Sequence, residues 1–327
     1  MTVTIHIHTF TIYYLLFTIY THTIYNNTLY IDMSKDIEYM SFSSCQNFDR
    51  CPLLYYYNKI MRIKLKNEYQ NIALKKGQFF AKIIESQKNV KKEAEKIFLD
   101  REIIHAKICN IVYVCMCELE LLPEGGVYES TWIKKLDHEL DINLKGKLDV
   151  LYENAFVELK YTMKLEFYLN EWLAHKQLLW YFYLTPPEIE KAYMCPVRVP
   201  ALRQGKEESV KGFLDRIRMD IYKRPSHYFP GYKPDREGVK WGRVFYRNEF
   251  KREFEGFERK MRWMREEIER CTENEYWDQK TTGCLFPGPC NYLNICSTGG
   301  FINDELFERW GNKNEKDNKK RKDGVEN

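Results

Sequence analysis

The residues with the plainest chemical capacity run from Gly146 to Lys160, and they carry Asp149, Glu158 and Lys160. If Glu153-Asn154 forms the two-residue turn of a β-hairpin, Tyr152 faces Ala155, Leu151 faces Phe156, Val150 faces Val157 and Asp149 faces Glu158. Opposed residues hold their Cβ atoms about 4.5–5.5 Å apart. Strand alternation puts Lys160 on the same sheet face as Glu158 and Leu159 on the other. Two carboxylates held this way repel, and a hard divalent cation with oxygen ligands relieves the repulsion. A lysine beside them can orient or activate a water. Together these groups could perform metal-assisted hydrolysis of a phosphodiester, where charge builds on phosphate oxygens. The competing reading is an exposed hairpin with incidental charges.

Cysteine is the second source of chemistry. Of the ten, Cys284, Cys290 and Cys296 form an evenly spaced series among Gly, Pro and Asn, while Cys45, Cys51, Cys109, Cys115, Cys117, Cys195 and Cys271 are dispersed. The sequence carries no secretory signal, which favours buried thiols and metal ligands over disulfides. A loop bearing three thiolates still lacks a fourth ligand.

Gly146-x-x-Asp149 followed by Glu158-Leu159-Lys160 resembles the core of the PD-(D/E)XK nuclease superfamily, in its RecB-like exonuclease branch. Further segments resemble that branch in the expected order. Ser43-Ser44 through Cys51-Pro52 and the following tyrosines look like its N-terminal helix. Gly77 to Glu85 is similar to its G-x-x-x-H-x-x-x-E helix, with Ala81 at the histidine position. Gln177 to Tyr181 fits a Q-x-x-x-Y motif, whose two side chains share a helix face. Cys284, Cys290 and Cys296 resemble the C-terminal cysteines of iron–sulfur members, among them AddB-type, CRISPR-adaptation and phage nucleases.

The resemblance covers residues 41–298 and implies an α/β (α+β) fold: a central mixed β-sheet flanked by helices, a restriction-endonuclease-like core with helical additions. It implies that Asp149, Glu158 and the Leu159 carbonyl hold Mg²⁺ or Mn²⁺ while Lys160 positions the attacking water. Gln177 and Tyr181 would organise the site and touch DNA, and Lys164 would meet phosphate, each against a plainer reading as packing or solvated surface. With Ala81 in place of histidine, Glu85, water or substrate phosphate would have to complete the metal sphere. The resemblance points to Cys51 as the fourth ligand of a [4Fe–4S] cluster. Zinc fits the same ligands and is less favoured, a metal-free cluster is a third alternative, and Cys45 and Cys271 are competing ligands. His105 and His175 read as helix-surface or core residues.

The implied activity is that of a metal-dependent DNA exonuclease in recombination, repair or phage replication, cytoplasmic, or in the host-cell cytoplasm if viral. The alternatives are a catalytically impaired DNA-binding or assembly subunit, and a cysteine-stapled structural protein. No G-x-x-x-x-G-K-[ST] loop is present, so unwinding would need a helicase or recombination partner.

The elements that must position these residues read as follows. The chain has 327 residues, 44% hydrophobic, 15% aromatic and 30% charged, with net charge +4, values ordinary for a globular chain and too weakly basic to argue nucleic-acid binding. Residues 1–31 lack Asp, Glu, Lys and Arg, but eight Thr and three His interrupt every apolar window, so neither a signal peptide nor a membrane span is expected. Met33 reads as the true start, with 1–32 a non-native leader, 33–300 the nuclease domain and 301–327 a charged disordered tail. Helices are expected from the Ser41–Ser44 cap, over 53–63, 67–86, 89–118, 166–184, 207–224 and 247–271. The last carries an apolar stripe of Phe250, Phe254, Phe257, Met261, Met264 and Ile268 that reads as core. Lys91 and Lys92 read as a solvated face. Strands are expected over 130–136, 140–144, 147–152, 156–161 and 191–199.

Overall fold

In a computed structural model of the chain, the structure describes residues 39–309 apart from 87–89, 138–141, 170, 286–288 and 301. The expectations for residues 1–32 and for the tail beyond 309 lie outside these residues. No helix among them is long and apolar enough to cross a membrane.

The strands are β1 (Tyr39–Ser41), β2 (Ile63–Leu65), β3 (Val127–Asp137), β4 (Ile142–Leu151), β5 (Ala155–Thr162), β6 (Lys191–Arg198), β7 (Arg243–Tyr246) and β8 (Phe307–Arg309). The longer helices are α1 (Phe42–Arg50), α2 (Ile72–Ser86), α3 (Val90–Ile97), α4 (Ile103–Glu118), α5 (Glu171–Leu184), α6 (Val210–Lys223) and α7 (Lys251–Glu273). β1, β3, β4, β5, β6 and β7 form one mixed sheet flanked by helices, the α/β architecture expected. β4 is its pivot. β3 runs antiparallel along one edge of β4, and two strands share the other: β1 pairs parallel with Asn143–Lys145, and β5 pairs antiparallel with Val150 and Leu151. Between these two partners lies a fork at residues 146–149. β6 then lies parallel to β5 and β7 antiparallel to β6.

Apolar side chains cover both sheet faces. One core joins Leu144, Leu148 and Phe156 to α1, α5 and α7, through Phe48, Trp180 and the α7 residues Phe257, Met261, Met264 and Ile268. The stripe along α7 is thus core, as expected. The other core joins Val150, Val157 and Val197 to α2, α4 and α6, through Phe80, Val112 and Ile217. A third, smaller core ties an early described segment to the last one: Cys51, Leu54, Tyr57 and Ile63 pack with Tyr292, Ile295 and Phe307. β2 and β8 pair antiparallel over it, so Phe307–Arg309, expected within the tail, belong to the fold.

Several elements differ from the sequence expectation. Segments 140–144 and 147–152 merge into β4, because exposed Lys145 and Lys147 alternate with buried Leu144, Gly146 and Leu148 as in any half-buried strand. The helix at 53–63 is a short turn, Pro52–Tyr55, then a π-helical turn, Tyr56–Ile60, leading into β2. The helix at 67–86 starts only at Ile72, behind a 3-10 turn at Asn67–Tyr69. The helical run 89–118 breaks near Leu99, where Glu102 turns inward to accept from buried Lys75 Nζ (2.7 Å) and from the Leu99 N–H (3.1 Å). The first cap is as read: Ser44 N–H donates to Ser41 Oγ (3.2 Å) and Ser41 N–H to Ser44 Oγ (2.8 Å), closing a capping box.

Gly146 decides how closely α5 approaches. A Cβ there would collide with Leu184 Cδ1 and sit 3.1 Å from the Tyr181 ring, and Trp180 Nε1 donates to the Lys145 carbonyl next door (3.2 Å). Gly146→Val is expected to destabilise the protein by about 1–3 kcal/mol through overpacking. Gly256→Ala, at a helical position with nothing within 4 Å of the added methyl, is expected to stabilise by roughly 0.5–1 kcal/mol. Denaturant unfolding midpoints of the two variants measure both.

Candidate active site

The β4–β5 hairpin closes as its residues require. Tyr152 N–H donates to the Ala155 carbonyl (2.7 Å) around Glu153-Asn154, and Leu151 opposes Phe156 and Val150 opposes Val157. The ladder ends there, one pair short of the expected Asp149–Glu158 opposition. Asp149 Oδ2 instead accepts the Leu159 N–H at 2.7 Å, a side-chain bond where the next rung would be. The fork makes this reach necessary. It coincides with a break in strand alternation: Leu148 packs in one core and Val150, two residues on, in the other. Asp149 sits at the break. On β3 the register passes from Tyr128–Val150 to Ser130–Leu148 and skips Glu129, whose φ is +58°. Irregularities of this kind re-aim side chains next to functional sites.

Glu158 is 2% exposed and turns toward α5. Its Oε1 accepts from Lys160 Nζ and from Gln177 Nε2 (2.7 Å), and Gln177 Nε2 also donates to Tyr181 Oη (3.0 Å). The i, i+4 spacing of Gln177 and Tyr181 therefore serves one network, held down by Tyr181 packing edge-on against Phe156. Glu158 Oε2 is buried with no hydrogen-bond partner. Burial, together with Asp149, pushes the Glu158 carboxyl up to about 7 against the pull of Lys160 and Gln177. Burial also raises Asp149, opposed by Lys160 and the Leu159 N–H. Burial alone would lower the Lys160 ammonium, but Glu158 and Asp149 outweigh it and hold the group above its ordinary value.

Behind Asp149 lies a small pocket. Gly77, Ala81 and Glu85, successive turns of one face of α2, line it with Asp149, Leu159 and Glu129. The position of the resembling motif's histidine thus opens on the acidic residues, but Ala81 brings no ligand. Glu85 pairs with Lys82 on its own helix. Lys164 is exposed beside Phe167, its ammonium 5.3 Å from the ring centroid. His175 stacks on Phe250 (4.4 Å) and His105 packs near Phe98, both helix-packing roles as expected. Glu129 is not among the residues expected from sequence: the strand expected over 130–136 begins at Val127 and so includes it. No local signal marks a strand residue that folds out of its ladder.

The cysteine series meets Cys51 at the clasp between the chain's ends. Cys51 Sγ accepts from the Lys280 N–H (3.4 Å), Cys290 N–H donates to the Cys284 carbonyl (2.7 Å), and Arg50 Nε donates to the Gly283 carbonyl (2.7 Å). Burial pushes the Cys296 thiol up to about 11, reinforced by Cys290, Cys51 and Cys284, and Cys51, Cys290 and Cys296 pack in the same small core. Cys45 instead packs on Met261 Sδ (4.0 Å) in the main core, and Cys271 answers to Glu267, Arg270 and Asp278. All ten cysteines are free thiols.

Among the described residues, no three His, Cys, Asp or Glu side chains converge closely enough to hold a metal ion. The donor chemistry nonetheless fits one at both places: a buried carboxylate oxygen without a partner at the first, four neighbouring free thiols at the second. No family model matches the chain, and no curated protein is recognisably similar to it.

The buried acid has a consequence for stability. Between the ordinary carboxylate value and about 7, the folded protein holds a proton on Glu158 that the unfolded chain has released, so stability falls as pH rises through that window. Glu158→Gln is expected to flatten this dependence and, without divalent metal, to melt several degrees above the parent at pH 8 but not at pH 5. Thermal melts at the two pH values in chelator measure it.

Proposed function

We propose that this chain is a metal-dependent deoxyribonuclease, an exonuclease in its likeness to the RecB branch, acting on DNA in recombination, repair or phage replication in the cytoplasm. One observation carries the reading: Glu158 is buried with an unsatisfied oxygen, next to a second raised carboxylate and a charged lysine. A buried anionic oxygen left unpaired is destabilising, and such groups concentrate where a cation or substrate is to be met.

In this reading Asp149, Glu158 and the Leu159 carbonyl hold Mg²⁺ or Mn²⁺. The cation would supply Lewis-acid stabilisation of the phosphate and a more acidic water. Lys160, positively charged on the face of Glu158, donates to the attacking water and to charge developing on phosphate. Gln177 fixes the orientation of Glu158 through Oε1, and Tyr181 fixes Gln177. Lys164, exposed beyond the end of β5, meets the DNA backbone as a point charge. Cys51, Cys284, Cys290 and Cys296 hold a [4Fe–4S] cluster that joins the two ends of the chain. Duplex substrate would require a helicase or recombination partner to open it.

With Mn²⁺ and end-labelled single-stranded and duplex DNA, the parent protein is expected to release nucleotides. Lys160→Ala should lower the rate by roughly 10²–10³-fold. Gel-shift binding without cleavage by the parent would replace this reading with that of a DNA-binding or assembly subunit, to which the alanine at position 81 lends itself.

The cluster has its own readout. Anaerobically purified protein is expected to be brown with broad charge-transfer absorbance, and Cys296→Ser to lose the colour. Colourless protein containing zinc would make the cluster a zinc site.

A further inference from the structure

The second sheet irregularity was invisible in the sequence, and it bears on the ligand that Ala81 does not supply. Cross-strand counting puts Glu129 opposite Asp149, yet this pair is absent from an otherwise regular stretch of the β3–β4 ladder. Glu129 has a φ of +58°, a conformation that L side chains rarely adopt and that costs of order 1–3 kcal/mol in a non-glycine residue. Its carboxyl lines the same pocket as Asp149, Leu159 and Glu85, with Oε2 buried. Its partner is the Lys147 ammonium, which also acts on Asp149; the Lys147 side chain is 49% exposed, whereas that of Glu129 is 14% exposed. Lys147 is thus a half-exposed positive charge paired with one acid and acting on the other. A second sign of a missing cation is Glu158, 2% exposed with an orphaned Oε2; it lies outside the pocket lining and adjoins it through Asp149.

We propose that Glu129 is a further carboxylate of the cation site, supplying from β3 the ligand that α2 lacks at Ala81, and that Lys147 is the counter-ion which a hard divalent cation displaces. The inference rests on the metal-dependent reading above and extends it to a residue outside the resembling motifs. Asp149 and Glu129 share the pocket and Glu158 would have to close onto it from beside Asp149; such oxygen-only ligation suits Mg²⁺ or Mn²⁺ better than softer metals.

Mn²⁺ titration of the full chain, followed by the loss of the free-ion electron paramagnetic resonance signal, tests this without substrate. Glu129→Gln should weaken binding about 10- to 100-fold. Glu129→Gly separates ligand from scaffold: glycine accepts the positive φ freely, so its melt should hold or rise while its Mn²⁺ affinity falls as in Glu129→Gln. Adding Ala81→His to Glu129→Gln should recover part of the affinity, because position 81 opens on the same pocket. Lys147→Met should bind at least as tightly as the parent. If the Glu129 variants bind like the parent while Glu158→Gln does not, the role of Glu129 is overturned and the metal site stands. If the parent binds no Mn²⁺, the metal-dependent reading falls with it.

Discussion

Everything at the candidate site follows from how one edge of β4 is shared. β1 takes the first part of that edge, running parallel, and β5 takes the last, running antiparallel, so the residues between them have no strand partner on that side. Unpaired backbone in a sheet must be satisfied or solvated. Asp149 stands at this fork and spans it with its side chain, accepting the Leu159 N–H in place of a rung. The same fork keeps two carboxylates in a poorly hydrated region, where their repulsion is strong and only lysines and an amide oppose it.

The surrounding layers hold that unfavourable arrangement in place. α5 lies close over β4 because Gly146 has no side chain, which brings Gln177 within reach of Glu158. α2 covers the opposite side, and its Gly77–Ala81–Glu85 face leaves a pocket where larger side chains would fill the space. β3 contributes Glu129 through a backbone conformation that a regular strand avoids. Each of these is locally unfavourable. The two apolar cores on either side of the sheet provide the stabilisation that tolerates them.

The third core has a different task. Cys51 is more than 230 positions from Cys284 and Cys296, yet β2 and β8 pair beside them and Tyr292 Oη donates to the Ile63 carbonyl (2.6 Å). This contact places Cys51, Cys290 and Cys296 in one small core by packing alone. A cluster bound there would reinforce a closure that the apolar contacts already make between the first and last described segments.

The sequence by itself determined much of this protein. Period-2 and period-3.6 patterns located the β4–β5 hairpin, its turn and the core face of α7, because each depends on neighbours within a few residues. The i, i+4 spacing of Gln177 and Tyr181, and the association of Cys51 with the distant cysteines, came through resemblance. Tertiary structure alone decided the rest. Whether Asp149 opposes Glu158 or accepts the Leu159 N–H of β5 depends on β1 occupying the same edge, a contact more than a hundred residues away in the chain. Glu129 lines the pocket because one pair drops out of an otherwise constant stretch of the β3–β4 register, and a single missing pair has no local signature. Helix ends at Leu99 and Ile60 were likewise set by long-range partners, the buried Lys75 and the strand β8, which propensity along the chain cannot register.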